Sequence, residues 1–315
     1  MAAERPEKQT VRGLWLEEVK AQNVTEPPER VPLYLTLPGA RGRDIELLVE
    51  QDLLPLTETG AVADSESMRV VAIEGSPEAA IALQGRYPGL KVLEEPLHGL
   101  LRSTGPFEFP RGKDRVLCRA QVVNLDFDKP LHASVEQGQL VFPALSLVAK
   151  LAKLHGADPH VDWTLCLTLN GQLEVWPEDV DKKACRFLAV NFEDDPKFSE
   201  LAVEVLGANL HESIIQDPGS VDIRNCTEEE QQRFLMVLVP KRIARDVCAD
   251  GWDVQTVENL RYGGSKGRAR MVTWVLRFCW DSRASTEADV LYREALRRSL
   301  SKRGWIDSKG RLAHD

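Results

Sequence analysis

The sequence predicts an α/β protein with a mostly parallel sheet and a C-terminal antiparallel hairpin. Three observations carry this. Short apolar, β-branched runs alternate with segments of helical periodicity through the first half of the chain. The runs VVAI and AQVV are continuously apolar, as strands covered on both faces are. Late in the chain, two extended runs flank the glycine-rich YGGSKGRAR, the pattern of a hairpin.

Each element follows from local signals. Met1 to Thr10 is polar and charged and reads as loosely attached, and Val11 to Gln22 reads as a short helix with Leu14, Trp15 and Val19 near one face. Val31 to Leu37 is a compact strand stopped by Pro38-Gly39, and Asp44 to Leu54 is a helix with an acid in its first turn. Met68 to Ile73 is the second strand. Ser76 then caps a helix that opens with Pro77 and stops near Pro88-Gly89. Leu90 to Leu93, Ala120 to Leu125 and Trp163 to Leu169 read as further strands, with a helix over Ala144 to Leu154. Phe198 to Leu206 is a helix that Gly207 ends, and Glu228 to Cys248 holds one or two more. Val254 to Arg261 and Met271 to Phe278 form the hairpin. Glu287 to Arg303 is a charged helical tail. The domain plan is an N-terminal extension over 1–30, a main domain over 31–280 and a helical tail over 281–315.

Composition narrows the classes. The 315 residues are 43% hydrophobic and 28% charged, an ordinary globular balance with material for a core. The net charge of -9 carries no general attraction for polyanions, so any nucleic acid needs a local basic face. Three basic groups are candidates for that face: Lys241, Arg242 and Arg245; Arg261, Lys266, Arg268 and Arg270; and Arg293, Arg297, Arg298, Lys302 and Arg303. Solvated turns and termini explain the same groups. Trp252, Trp274, Trp280 and Trp305 lie in this half, as core or as a stacking surface for a base.

The six cysteines, Cys118, Cys166, Cys185, Cys226, Cys248 and Cys279, include no CxxC pair, which argues against zinc and against a disulfide scaffold. His98, His132, His155, His160, His211 and His314 are scattered without HExxH, and no GxSxG elbow supports a hydrolase. No metal is expected. No run reaches the roughly eighteen apolar residues of a membrane span, and the expected location is cytoplasmic.

Ligands of open α/β sheets bind beyond the carboxyl ends of the strands. Three strand exits here carry suitable residues. Pro38 to Arg43 (PGARGR) is either a ligand-facing loop or a plain turn. Glu74 ends the second strand, where an acid can accept from both hydroxyls of a ribose or simply cap the next helix. Asn124, Asp126 and Asp128 follow AQVV, where they can orient a substrate, join a metal site or turn the chain.

With YLTLPGARG, VVAIEGSPEAA, VVNLDFD and the hairpin VQTVENLRYGGSKGRARMVTWVLRF in this order, the chain resembles the class I S-adenosylmethionine-dependent methyltransferases over residues 31 to 280. The resemblance implies a Rossmann-like methyltransferase fold with a seven-stranded sheet, and S-adenosylmethionine as cofactor. It implies cofactor contacts at Pro38, Gly39, Gly42 and Asp44 after the first strand, and at Glu74 and Gly75 after the second. The sequence departs from the family at LPGARG, which lacks the usual acid and the richer glycine pattern. NLDF resembles the Asn/Asp-Pro-Pro-Tyr/Phe motif of enzymes that methylate base amines, with Leu125 and Asp126 replacing both prolines. It also resembles the Asp-containing motif of transfer-RNA guanine-N2 methyltransferases. By that likeness Asn124 or Asp126 would orient the amine and Phe127 would stack on the base. The implied function is methyl transfer to a nucleic-acid base amine, with RNA or DNA and other proteins as partners. The alternative is a catalytically inactive relative, a pseudoenzyme that binds or scaffolds within a larger complex.

Overall fold

The computed structural model describes residues 5–23, 32–39, 41–63, 69–94, 99, 119–157, 160–173, 175–263 and 270–314. The expectations for Cys118, His98, Lys266 and Arg268 lie outside the described residues, as does the tip of the hairpin. Two compact units emerge. One comprises residues 12–126 and 153–166; the other comprises residues 1–11, 127–152 and 167–315. The chain passes from one to the other inside strands and helices rather than at linkers.

The first unit holds β1 (Tyr34–Thr36), α2 (Arg43–Glu50), β2 (Val70–Ile73), α3 (Pro77–Arg86) and β3 (Lys91–Leu93). It also takes the opening residues of β4 (Val122–Pro130) and of β7 (Trp163–Asn170). Its strands are hydrogen-bonded in the order β3–β2–β1–β4–β7. β1 is central and parallel to both neighbours, with Tyr34 paired to Val70 and to Val122. Strand order therefore reverses between β1 and β4. The β1 ladder is shorter than the predicted Val31 to Leu37. Beyond it, Leu33 donates to the Arg69 carbonyl and accepts from the Val122 N–H, the Pro32 carbonyl accepts from the Gln121 N–H, and Leu37 donates to the Asn124 carbonyl.

Leu35, Val71 and Val123 are fully buried, which explains the continuous apolar runs. Ile45 and Leu48 of α2 and Leu83 of α3 are fully buried as well. Each such side chain contributes about 1.5–3 kcal/mol by leaving water. The turn ahead of α3 forms as its sequence predicts: Ser76 Oγ accepts from the Ala79 N–H at 3.3 Å, and Pro77 opens the helix.

The second unit carries the β5–β6 hairpin (Ser134–Glu136, Gln139–Val141), α4 (Pro143–His155), α5 (Glu178–Asp194), α6 (Pro196–Leu206) and α7 (Ala208–Gln216). After these come α8 (Glu228–Val247), β8 (Trp252–Gly263), β9 (Arg270–Trp280), α9 (Ala284–Ser301), β10 (Arg303–Ile306) and β11 (Leu312–His314). Its strand order is β11–β10–β8–β9–β7. β8 and β9 form the predicted antiparallel hairpin. Thr168 of β7 bonds Thr273, and the N–H of Gly171 bonds the Arg270 carbonyl, the descending register of an antiparallel neighbour. Two buried amides lock the layers. Asn259 Nδ2 of β8 donates to the carbonyls of Met236 and Ser299, and Gln232 Nε2 donates to those of Tyr262 and Met271.

Three expectations change here. Nine strands take part in the two orders, against the seven expected. The C-terminal segment is not only helical: Leu291, Leu296 and Leu300 of α9 are fully buried, and β10 then pairs in parallel with β8 before β11 folds back on it. Residues 6–10 are anchored, because α1 (Pro6–Asn23) begins earlier than predicted, Glu7 is buried and Thr10 Oγ1 donates to the Gly310 carbonyl at 2.6 Å. Glu228 to Cys248 holds a single α-helix, opened by a reciprocal Thr227–Glu230 capping box. Among the described residues, no helix is long and apolar enough to cross a membrane.

Candidate functional site

In the first unit, β1 and β2 end beside the residues singled out in the sequence, whereas β4 runs on from Val122 to Pro130, so Asn124 and Asp126 lie inside the strand and not at the exit expected for them. Parallel register places Thr36 opposite Asn124. Both are buried, as is Asp44 in the first turn of α2. The Asp44 carboxylate is the centre of the group. Its Oδ2 accepts from Thr36 Oγ1 at 2.8 Å, Asn124 Nδ2 at 2.9 Å and the Tyr34 hydroxyl at 3.4 Å. Its Oδ1 accepts from Arg12 Nε of α1 at 3.2 Å. Trp15, one turn further along α1, stacks on Tyr34 with ring centroids 5.1 Å apart.

Electrostatics follow from this packing. Burial pushes the Asp44 carboxyl above its ordinary range; the Arg12 guanidinium and the Thr36 hydroxyl pull it back, and the Asp126 charge raises it. Every near neighbour points a proton at Asp44, so the ionised form is the one that fits. Burial, and then the Asp44 charge, hold the Tyr34 phenol well above its usual range. Tyr34 thus stays a neutral hydroxyl that accepts from Asn124 Nδ2 at 2.9 Å.

Asn124 and Asp44 are therefore joined to each other. Asn124 Nδ2 is engaged by Tyr34 and Asp44, and both oxygens of Asp44 are engaged. Asp126, two residues further along β4, is partly exposed, and so is Phe127. The side chain of Asp128 lies outside the described residues. Glu74 stands at the exit of β2, partly exposed, with Oε1 fixed by the Ser76 N–H at 3.0 Å. Gly75 beside it is exposed.

The first loop separates into two jobs. Gly39 is exposed at φ +59°, and an added Cβ would meet nothing within 4 Å among the described residues. Its conformation needs glycine, and the space above it is open. Pro38 beside it is partly exposed. Gly42 is buried at φ +56°, where an added Cβ would lie 2.7 Å from Leu83 Cδ2. Gly42 lets α2 approach α3, a packing requirement rather than a ligand contact. Sequence reasoning missed Arg12, Trp15, Tyr34 and Thr36. Arg12 is 32 residues from Asp44, and nothing local marks the pair.

The expected basic surface of the second unit is largely neutralised by its own acids. Arg242 pairs with Asp246, Arg261 with Glu229, Arg270 with Glu228, Arg297 with Asp195 and Arg303 with Glu204. Arg298 pairs with Asp253. Lys241 is buried, its Nζ donating to the Phe187 carbonyl. Arg245 lies over the Tyr292 ring. Of the four tryptophans, Trp252 and Trp274 are core and Trp305 is exposed.

The class these features define is an α/β protein with mixed, mostly parallel strand pairing and an antiparallel hairpin, its polar centre at the reversal of strand order. Compared with known proteins, the sequence matches no family model and no curated protein.

Proposed function

We propose that the exits of β1 and β2, with the neighbouring stretch of β4, bind an adenosine-containing cofactor, S-adenosylmethionine by the family resemblance, and that the chain is a methyltransferase. The observation that carries the reading is the pairing of Glu74 with an open Gly39 on adjacent strand exits. Glu74 suits a ribose: one oxygen is oriented by the Ser76 N–H, and the carboxylate is reachable by two hydroxyls. Gly39 lets backbone approach a ligand without a side chain in the way, with Pro38 and Gly75 flanking. Bound there, the cofactor supplies an activated methyl group.

Asp126 is the polar residue of β4 fit to face an acceptor, orienting a nucleophilic amine and taking up its proton; Phe127, the next residue of the strand, points to its other side and is left out of this role. Asn124 and Asp44 support the site from behind, because their polar atoms hold each other. That engagement favours the second reading, an inactive relative that binds or scaffolds. The neutralised arginines also weaken the case for RNA or DNA as acceptor, since a polyanion needs unpaired positive charge. A cytoplasmic protein with protein partners fits either reading.

The test is calorimetric titration with S-adenosylmethionine and S-adenosylhomocysteine, beside Glu74→Ala. Binding in the micromolar range that weakens at least tenfold in the variant supports the site. No heat at millimolar ligand, from folded protein, removes the cofactor reading. Binding without methyl transfer to any offered acceptor, and with Asp126→Ala unchanged, favours the scaffold.

A further inference from the structure

A cluster in the second unit carries a different chemistry. Asp181, in the first turn of α5, is 1% exposed. Its Oδ2 accepts from Arg224 Nε at 3.1 Å and from the Arg224 backbone N–H at 3.4 Å. Its Oδ1 is buried and has no hydrogen-bond partner among the described residues. Arg224 is also held by Asp222, with Nε and Nη2 each 2.9 Å from a carboxylate oxygen. Two carboxyl groups therefore share one guanidinium. Gln231 of α8 ties down the same stretch of chain: its Nε2 donates to the carbonyls of Arg224 and Cys226, and its Oε1 accepts from the Leu173 N–H.

With both carboxyls ionised, the cluster holds one negative charge too many, next to a buried oxygen that no donor reaches. Asp181 is the buried member, Asp222 and Arg224 being partly exposed, so both conditions are costly where they fall on Asp181. One proton on Asp181 relieves them together. We propose that Asp181, Asp222 and Arg224 form a proton-binding latch, which holds segment 217–227 against the start of α5 in mild acid and loosens as the pH rises.

The surrounding groups leave this proton to Asp181. Burial, then a hydrogen bond with Asp222, raises the Asp181 carboxyl to about 6, whereas Arg224 keeps Asp222 below its ordinary range. On α5, Glu178 is paired with Lys182 at 2.6 Å. Burial holds the Cys185 and Cys226 thiols up, Cys226 to about 11, so both stay neutral. Glu230 of α8 closes the capping box with Thr227. On the segment itself, Asp217 accepts from the Gly219 N–H, beside Arg186 of α5. The β5–β6 hairpin meets α5 through Lys183, whose Nζ donates to the Gly138 carbonyl, and Glu136 accepts from Ser134. On α6 and α7, Asp195 pairs with Arg297 and His211 bonds Ser199.

The sign follows from linkage. A carboxyl raised in the folded state stabilises most below its unfolded value of 3.8, and that contribution is lost as the pH climbs through about 6. The experiment is hydrogen exchange of the full chain, with rates corrected for intrinsic exchange. Protection of amides in 217–227 is expected to fall about tenfold from about pH 5 to about pH 7.5. Asp181→Asn, which carries the neutral form permanently, should stay protected and level across that range. Asp222→Asn removes the like charge and should move the midpoint of the fall to lower pH. Equal slopes in wild type and Asp181→Asn would overturn the latch. So would an unmoved midpoint in Asp222→Asn, which decides the matter even if the first variant misfolds.

Discussion

The two units each bury a carboxyl group beside an arginine, and they do so with opposite outcomes. Asp44 faces one guanidinium and three neutral donors, and both of its oxygens are engaged. Asp181 shares its guanidinium with Asp222 and keeps one oxygen bare. Burial raises both carboxyls, so depth does not distinguish them. The count of donors does. A buried carboxylate met by enough protons is a strut, and one met by too few is a proton site.

Substitution sharpens the contrast, and the largest effect is expected at the strut. Asp44→Ala takes the buried carboxylate away from Arg12, Thr36, Asn124 and Tyr34 together and should cost about 3–5 kcal/mol in urea denaturation. Asp44→Asn should also destabilise, because its NH2 would face donors. At Asp181 the same change should be neutral or stabilising at about pH 7, since Asn reproduces the protonated form. A destabilised Asp181→Asn would erase the distinction.

Glycine tests the packing of the first unit. Gly42→Ala forces a side chain to φ +56° and into Leu83, and should cost about 1–3 kcal/mol. Gly39→Ala meets no described atom, so strain alone should cost it about 1 kcal/mol, and binding of the proposed cofactor should weaken. Equal losses of stability would refute the division of labour between the two glycines. In the second unit, Thr227→Ala removes one end of a capping box and should cost about 1 kcal/mol by the same assay.

Lys241 gives a slope rather than a size. Burial lowers it from 10.5 to about 7, so the unfolded chain binds the extra proton between those values. Stability should therefore rise with pH across that window, and Lys241→Met should flatten the rise. Thermal melts at several pH values read this directly.

The elements of the first unit were legible because parallel strands write themselves as apolar runs and Ser76-Pro77 marks a helix start locally. The hairpin was legible by its glycine-rich turn. β10 was not: RGWI follows α9 with no turn residue between, and its strand character comes from pairing with β8. At the site, Glu74 and Gly39 were readable as strand-exit residues. The inward roles of Asn124 and Asp44 were not, since a side chain's partners depend on which strands become neighbours.

By itself, the sequence determined the alternation of strands and helices, the positions of caps and turns, and the residues at the exits of the first two strands. These depend on periodicity and on local backbone preference, which act within a few residues. Only the tertiary structure decided which polar groups face inward, which arginine meets which acid, and where a carboxylate lacks a donor. Such outcomes join residues tens of positions apart, and desolvation, which sets their energies, exists only once the chain has packed.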